Sequence, residues 1–195
     1  MSDRRTLITA AAIADPVAGV IAPGALLLAG GRVVAAGEPA SIGPVPDAVE
    51  TVDLPRSIIL PALVNAHAHL DLTHLGPRPA VGSFIDWIRM VRGGRASEAG
   101  AIADSVQLGV ERSLAGGTAI IGDIAGIGST APVHALRKSP LWGVSYLEHF
   151  GLADQQTEAV ARMGSMIAEV SGEEDGVRLG LQPHAPYSCG LELYA

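Results

Sequence analysis

Residues 61–76 read PALVNAHAHLDLTHLG, and this segment decides the fold. A short apolar strand, Ala62 to Val64, leads into two histidines one residue apart. Because residues i and i+2 of an extended chain point to the same face, His67 and His69 can direct two imidazoles at one ion. Imidazole is a good ligand for zinc and iron, so the segment predicts half of a metal site. A His-x-His pattern is common, and two polar residues leaving a strand for solvent are the alternative.

The composition narrows the class of protein. A chain of 195 residues with 48% apolar content is long enough to bury a core. Its net charge of -7 argues against a nucleic-acid partner, since phosphates require a basic surface. The single cysteine, Cys189, rules out an internal disulfide and the zinc-deaminase design that needs a Cys-x-x-Cys pair. We therefore expect a cytoplasmic globular protein, with no membrane span among its apolar runs.

The first 60 residues predict β structure and a first domain. Arg4-Arg5 before the apolar run 6–14 is compatible with a signal peptide, but the run is short and follows an acidic residue, so a strand is favoured. Gly30-Gly31 predicts a two-residue hairpin turn, and Pro55 separates two further short strands. The predicted strands are 25–29, 32–36, 49–54 and 57–60, and residues 38–47 are a loop by composition.

From residue 61 to 195 the pattern alternates strand and helix, which predicts a second domain. Ser83 and Asp86 resemble a capping box, and apolar residues at helical spacing follow from Phe84 through Trp87 to Val91. Strand–helix alternation indicates a parallel sheet with right-handed crossovers. Four βα units are visible, so we predict an α/β fold with half of a TIM-like (β/α)8 barrel. The predicted helices are 97–114, 132–138 and 157–170, with inward residues including Leu114 and Val160, and the later strands are 118–121, 141–147 and 177–181.

Polar residues follow the carboxyl ends of the predicted strands, where barrel active sites form. Besides the histidine pair they are Asp123, Glu148 and His184. For Asp123, a helix N-cap or a loop turn is an equal alternative, and Glu148 could be a solvated loop acid. Trp87 is either a core residue or a stacking partner for a bound ring.

The other candidate residues have weaker assignments. His74 and His149 fit a supporting or surface role, and His134 lies in a predicted helix without an identifiable partner. Cys189 fits a packed position better than a reactive one.

Two motifs carry a resemblance to a known family. LPALVNAHAHLDL, residues 60–72, resembles the first barrel strand of the amidohydrolase superfamily, in its branch of deaminases and chlorohydrolases. QPHAPYSC, residues 182–189, is similar to that branch's Pro-His-x-Pro-Tyr motif. The continuation LTHLG, residues 72–76, and the helix that begins FIDW, residues 84–87, resemble aminofutalosine deaminases. The resemblance covers almost the whole chain but only about half of the family's length.

The resemblance implies a C–N hydrolase that uses one divalent metal ion, zinc first and iron second. It assigns His67 and His69 as metal ligands and His184 as a substrate contact, with Glu148 and Trp87 as further substrate-binding candidates. A third ligand and proton shuttle in a His-x-x-Glu motif, a later histidine and an aspartate would fall beyond Ala195, so no catalytic residue is expected within the chain. Lys138, the only lysine, lies outside the position of a two-metal bridge. Family members also carry a small β-sandwich, which residues 1–60 resemble in part.

Two hypotheses follow. The first is the N-terminal half of a deaminase-like enzyme acting on an aminated purine-like ring or nucleoside, inactive alone, with a cyclic amidase as the alternative chemistry. The second is a non-catalytic binding or assembly module that completes its barrel through another chain. Both leave a homo-oligomer possible, and a helix beginning at 191–195 without a stop signal favours the first.

Overall fold

The computed structural model describes residues 4–17, 19–43, 49–79, 82–126, 128–172 and 176–194. It divides into two compact units, Met1–Pro61 and Ala62–Ala195. No helix among the described residues is long and apolar enough to cross a membrane.

The first unit is one mixed sheet built around β1 (Arg5–Asp15), which confirms the predicted first strand. One edge of β1 pairs antiparallel with β2 (Gly19–Ile21) and β3 (Gly24–Ala29), and its other edge pairs parallel with β5 (Glu50–Ile59). Strand β4 (Arg32–Gly37) pairs antiparallel with β3. The described residues of this unit form a single sheet, so a second layer of the expected sandwich is not among them.

Two turn predictions in this unit had different outcomes. Gly30 and Gly31 both have positive φ, 56° and 77°, as the predicted hairpin turn requires. Pro55, however, does not separate two strands, because β5 continues through it. The register against β1 shifts between Leu54 and Ile58, so the proline lies in an irregular part of the strand. Among the described strands β5 pairs with β1 alone, and a missing N–H is tolerated on such an edge. The predicted loop contains a 3-10 turn at Pro39–Ser41, and its residues 44–47 lie outside the described part.

The second unit has a four-stranded parallel sheet in the order β6-β7-β8-β9, which confirms the predicted α/β class. The strands are β6 (Leu63–Ala68), β7 (Thr118–Ala125), β8 (Trp142–His149) and β9 (Val177–Pro183). The helices are α1 (Phe84–Gly94), α2 (Ala99–Ala115), α3 (Ala131–Arg137) and α4 (Gln155–Val170), with 3-10 turns at Leu70–Leu75 and Leu191–Leu193.

The strands extend further than predicted, into the polar residues at their carboxyl ends. Asp123 pairs in register with Ser145, and Glu148 pairs with Gln182. Parallel neighbours on both sides of β7 and β8 keep these residues in the ladder although their side chains are polar. Asp123 and Glu148 therefore lie on strand backbone and are positioned by the sheet.

Helices α2 and α3 and the turn after β6 bury one core cluster, and α4 contributes to a second. In α2 the predicted residues Ile102, Val106 and Val110 are buried, but Leu114 is 41% exposed because it lies in the last turn of the helix. In α4 Val170 is buried as predicted, together with Ala159 and Met166, whereas Val160, predicted to point inward, is exposed.

Helix α1 confirms its predicted start but not its predicted burial. Ser83 and Asp86 form a complete capping box. No residue of the helix is buried, and Trp87, expected in the core, is 46% exposed and stacks on Phe84 at 5.7 Å. The helix is anchored at its last turn instead, where the Gly94 carbonyl accepts a hydrogen bond from the His74 ring.

Candidate metal and substrate site

The histidine pair lies at the carboxyl end of β6. His67 is the next-to-last residue of the strand and is exposed, while His69 precedes the 3-10 turn and is half-buried. Their ring centroids are 5.3 Å apart with an interplanar angle of 72°. The Nδ1 atom of His69 is buried and has no hydrogen-bond partner among the described residues. Two neighbouring imidazoles with a free ring nitrogen fit two ligand positions of one ion.

The described residues do not complete a metal site. No group of three or more histidine, cysteine, aspartate or glutamate side chains is placed to hold an ion within the described ranges. A zinc site uses three or four protein ligands, so the pair fits a divalent ion as a partial donor set.

The burial of His69 favours the neutral form of the ring, which is the form that binds metal. Burial lowers its pKa, opposed by the carboxylates of Glu148 and Asp71, and the neighbouring His67 and Arg95 lower it further. A neutral imidazole is the ligand form, so desolvation prepares this residue for a cation.

Asp71 is buried beside this histidine and pairs with Arg95 across 3.5 Å. Burial raises the pKa of the Asp71 carboxyl, while the Arg95 guanidinium opposes that rise. The Oδ1 atom of Asp71 has no hydrogen-bond partner among the described residues. Gly126 keeps the space open, because a Cβ there would lie 2.6 Å from Asp71 Oδ2. A buried ion pair therefore lies near His69, and Gly126 leaves the room that it needs.

Asp123, predicted as a site residue, an N-cap or a loop turn, lies within β7 and is fully buried. Its Oδ1 accepts a hydrogen bond from the Leu70 N–H at 3.0 Å, and its Oδ2 accepts one from the Ser145 hydroxyl at 3.2 Å. Burial raises the pKa of Asp123 to about 6, although the Leu70 and Ser145 hydrogen bonds oppose the rise. Asp123, on the strand next to β6, thus accepts from the first N–H of the 3-10 turn. This hydrogen bond holds the backbone directly after His69.

Glu148 and His184 meet at the ends of β8 and β9. Glu148 Oε1 lies 2.8 Å from His184 Nδ1, and the Glu148 side chain is only 6% exposed. The Tyr187 hydroxyl is 3.3 Å from His184 Nε2, and the Phe150 ring stacks on the imidazole at 4.5 Å. The structure therefore brings two predicted residues into direct contact, and Glu148 is not a solvated loop acid.

The remaining histidines and the cysteine have defined surroundings. His74 bonds the Gly94 carbonyl and the Ser105 hydroxyl, and so supports the turn after β6. His149 is buried, and desolvation lowers its pKa. His134, predicted without a partner, lies 3.8 Å from Glu169. Cys189 is packed as predicted, with its thiol donating to the His149 carbonyl.

Sequence reasoning missed three residues in this region: Arg95, Ser145 and Phe150. Nothing in the sequence singles out Arg95, since its partner precedes it by a whole helix. Ser145 could have been found from the register of two parallel strands, and Phe150 from its position directly after Glu148-His149.

Comparison with known proteins identifies the family of this chain. Residues 58–195 match the model of the Amidohydrolase family. Adenosine deaminase of Helicobacter pylori is 28% identical over 143 residues, covering 71% of this chain and 33% of the relative. Aminodeoxyfutalosine deaminase of Deinococcus radiodurans is 29% identical over a 197-residue alignment, covering 96% of this chain and 44% of the relative. The chain thus spans less than half the length of these curated relatives.

Solved structures show the same fold. An adenosine deaminase from Xanthomonas campestris with bound zinc superposes with a TM-score of 0.76 at 21% identity, covering 94% of this chain and 43% of that one. A guanine deaminase from C. acetobutylicum with bound guanine gives a TM-score of 0.77 at 12% identity, covering 97% of this chain and 48% of that one.

Proposed function

The chain belongs to the amidohydrolase family, and from this premise we propose that residues 62–195 form four units of a metal-dependent (β/α)8 barrel that hydrolyses a C–N bond. The parallel order β6-β7-β8-β9, with polar side chains at the carboxyl ends, supports the barrel assignment. The proposed activity is that of a complete barrel, in which the chain supplies part of the site.

The observation that carries the proposal is the His67–His69 pair, with its adjacent rings and the unpartnered Nδ1 of His69. These two residues would hold a divalent ion, and zinc is the first candidate because it favours imidazole ligands. A bound zinc ion would lower the pKa of a coordinated water to about 7, which would make hydroxide available as a nucleophile at neutral pH. The buried carboxylates of Asp71 and Glu148 favour a cation at this position.

We propose deamination of an aminated purine-like ring or nucleoside as the reaction. The two curated relatives described above are deaminases, which supports this class over amide hydrolysis. His184 would contact the substrate ring, and its fixed imidazole edge suits a planar heterocycle. Trp87 is 46% exposed on α1 and stacks on Phe84, and its other face would stack on a ring that the barrel binds.

Zinc titration tests the metal assignment in the chain itself. We expect isothermal titration calorimetry to show one weak site, and His67→Ala or His69→Ala to reduce its affinity about tenfold or more. His134→Ala is the control, because this residue pairs with Glu169 on α3 and α4. Equal stoichiometry and affinity in all four proteins would contradict the assignment.

Ammonia release tests the substrate class in a polypeptide that carries these residues within a complete barrel. Aminated purines should release ammonia faster than cyclic amides are opened. Preferential opening of a cyclic amide would support the amidase alternative instead. His184→Ala should raise KM or lower kcat without loss of metal, and loss of metal would show that this histidine is a ligand.

A further inference from the structure

Glu148 makes a direct contact with His184. It is the seventh residue of β8, its carboxylate is buried, and its Oε1 lies 2.8 Å from His184 Nδ1. The backbone reinforces the contact, because the His184 N–H donates to the His149 carbonyl at 3.0 Å. His184 is therefore bound to β8 through both its side chain and its main chain.

The other sides of the imidazole are also defined. Phe150 covers one face at 4.5 Å with an interplanar angle of 23°. The Tyr187 hydroxyl lies 3.3 Å from Nε2, and Tyr187 itself is 76% exposed. Nε2 consequently faces the open side of the cluster, where only an exposed hydroxyl occupies its hydrogen-bonding position.

The chemistry of the partners fixes where the proton lies. A carboxylate only accepts hydrogen bonds, so Nδ1 must carry the hydrogen that it donates to Glu148. In a neutral imidazole the second nitrogen is then an acceptor, as it is for histidines oriented by a carboxylate in other proteins. The Tyr187 hydroxyl can donate to this acceptor until a ligand replaces it.

We propose that Glu148 is a positioning residue that holds His184 as the Nδ1–H tautomer, so that Nε2 accepts a hydrogen bond from an N–H or O–H group of the ligand. The identity of the ligand rests on the proposed function, because the ligand is taken to be the ring that His184 contacts. An amino-substituted ring offers such an N–H group. A keto oxygen in the same place would meet the Nε2 lone pair and be disfavoured.

Nitrogen NMR of the histidine side chains tests the tautomer directly. Long-range 1H–15N spectra of the 15N-labelled chain near pH 8, above the ordinary histidine pKa of about 6.5, distinguish the two tautomers. We expect a protonated Nδ1 and an unprotonated Nε2 for His184, with its signals assigned by their loss in His184→Gln. A ring protonated at Nε2, or at both nitrogens, overturns the proposal.

Two substitutions assign the effect to Glu148. In Glu148→Ala the ring should shift toward the Nε2–H tautomer that free imidazole side chains favour in water. Tyr187→Phe and the surface control Glu158→Gln should keep the Nδ1–H tautomer. If Glu148→Ala fails to fold, Glu148→Gln preserves the shape and should weaken the preference, because an amide can either donate or accept. An unchanged tautomer in the folded Glu148 variant overturns the role of this residue.

A matched pair of probes tests whether Nε2 of His184 selects a ligand with a hydrogen-bond donor. The amino group of 9-methyladenine is an N–H donor, whereas 9-methylpurine has none. The Nε2 signal should respond to the first probe and not to the second, and equal responses, including none to both, overturn donor selection. Because neither metal nor turnover enters these measurements, the tautomer result stands or fails separately from the deaminase assignment.

Discussion

The two halves of the candidate site are built differently. The open half is the histidine pair at the carboxyl end of β6, a strand with one neighbour among the described strands, whose first residues Leu63 and Val64 are more than half exposed. The enclosed half is Asp123, Glu148 and His184 at the ends of β7, β8 and β9. Asp123 and Glu148 lie on the inner strands β7 and β8, and His184 after β9 is held by Glu148, so each polar group has a partner within 3.3 Å. Because β9, like β6, has one neighbour among the described strands, the comparison teaches that a polar group of this site is preorganised when an inner strand supplies its partner.

The largest expected effect concerns the buried ion pair beneath the open half. Arg95→Ala leaves the Asp71 carboxylate buried without its cation, and we expect a loss of about 3 kcal/mol in the free energy of unfolding, measured by urea denaturation. Arg89→Ala is the control, because its pair with Asp86 is at the surface and should contribute less than about 1 kcal/mol. Equal losses would mean that the open half has no buried support.

A change of similar size in the free energy of unfolding is expected from the charge of Asp123 in the enclosed half. The pKa of Asp123 is raised to about 6 in the folded protein from an ordinary value of 3.8. The folded state then binds more protons than the unfolded state between these pH values. This group's contribution is therefore present below about pH 4 and is lost as pH rises through 6, by about 3 kcal/mol in total.

Asp123→Asn tests that contribution. The amide can still accept from Leu70 and can donate to the Ser145 hydroxyl, but it carries no charge. The variant should lose the decline in unfolding free energy between about pH 4 and 6, measured in the presence of a chelator. Asp86→Asn is the opposite control, because Ser83 hydrogen bonds lower the pKa of that exposed carboxyl. An unchanged pH profile for Asp123→Asn would contradict its burial as a charged group.

A smaller effect on the free energy of unfolding is expected at Gly122, where β7 of the enclosed half meets β6 of the open half. Gly122 of β7 allows β6 to approach, since a Cβ there would lie 2.5 Å from the Ala66 carbonyl oxygen. Gly122→Ala should cost about 1–3 kcal/mol and weaken zinc binding, because the strain displaces the backbone next to His67. Gly100→Ala on α2 has open space and serves as the control. Zinc affinity unchanged in Gly122→Ala would show that β7 does not position the pair.

The smallest effect on stability concerns the edge itself. Val64 is 61% exposed on β6, and an uncharged apolar edge favours pairing with another copy of the chain. Val64→Lys should reduce self-association in sedimentation velocity while changing the free energy of unfolding by no more than about 0.5 kcal/mol. Gln107→Lys adds the same charge on the exposed side of α2 and should leave association unchanged. The edge is not the interface if both variants associate like the parent chain.

The sequence by itself determined the α/β class, the first strand, the glycine hairpin turn, the capping box of α1 and the family. These features depend on local chemistry: periodicity, turn residues with positive φ, a side chain that caps its own helix, and two motifs of fixed spacing. The nearness of the His67 and His69 rings belongs with them, because alternation at the end of β6 brings residues i and i+2 to the same side, with centroids 5.3 Å apart.

Only the tertiary structure decided which polar groups meet. The Asp123 bond to Leu70, the Arg95–Asp71 pair and the Glu148–His184 contact each join residues from different elements, and the register of the parallel strands sets their distances. Exposure of Trp87 and Leu114 was likewise undecided by periodicity, because a helical pattern marks an apolar face without specifying what covers it. Partners distant in the chain come together through packing, and packing is a property of the whole fold.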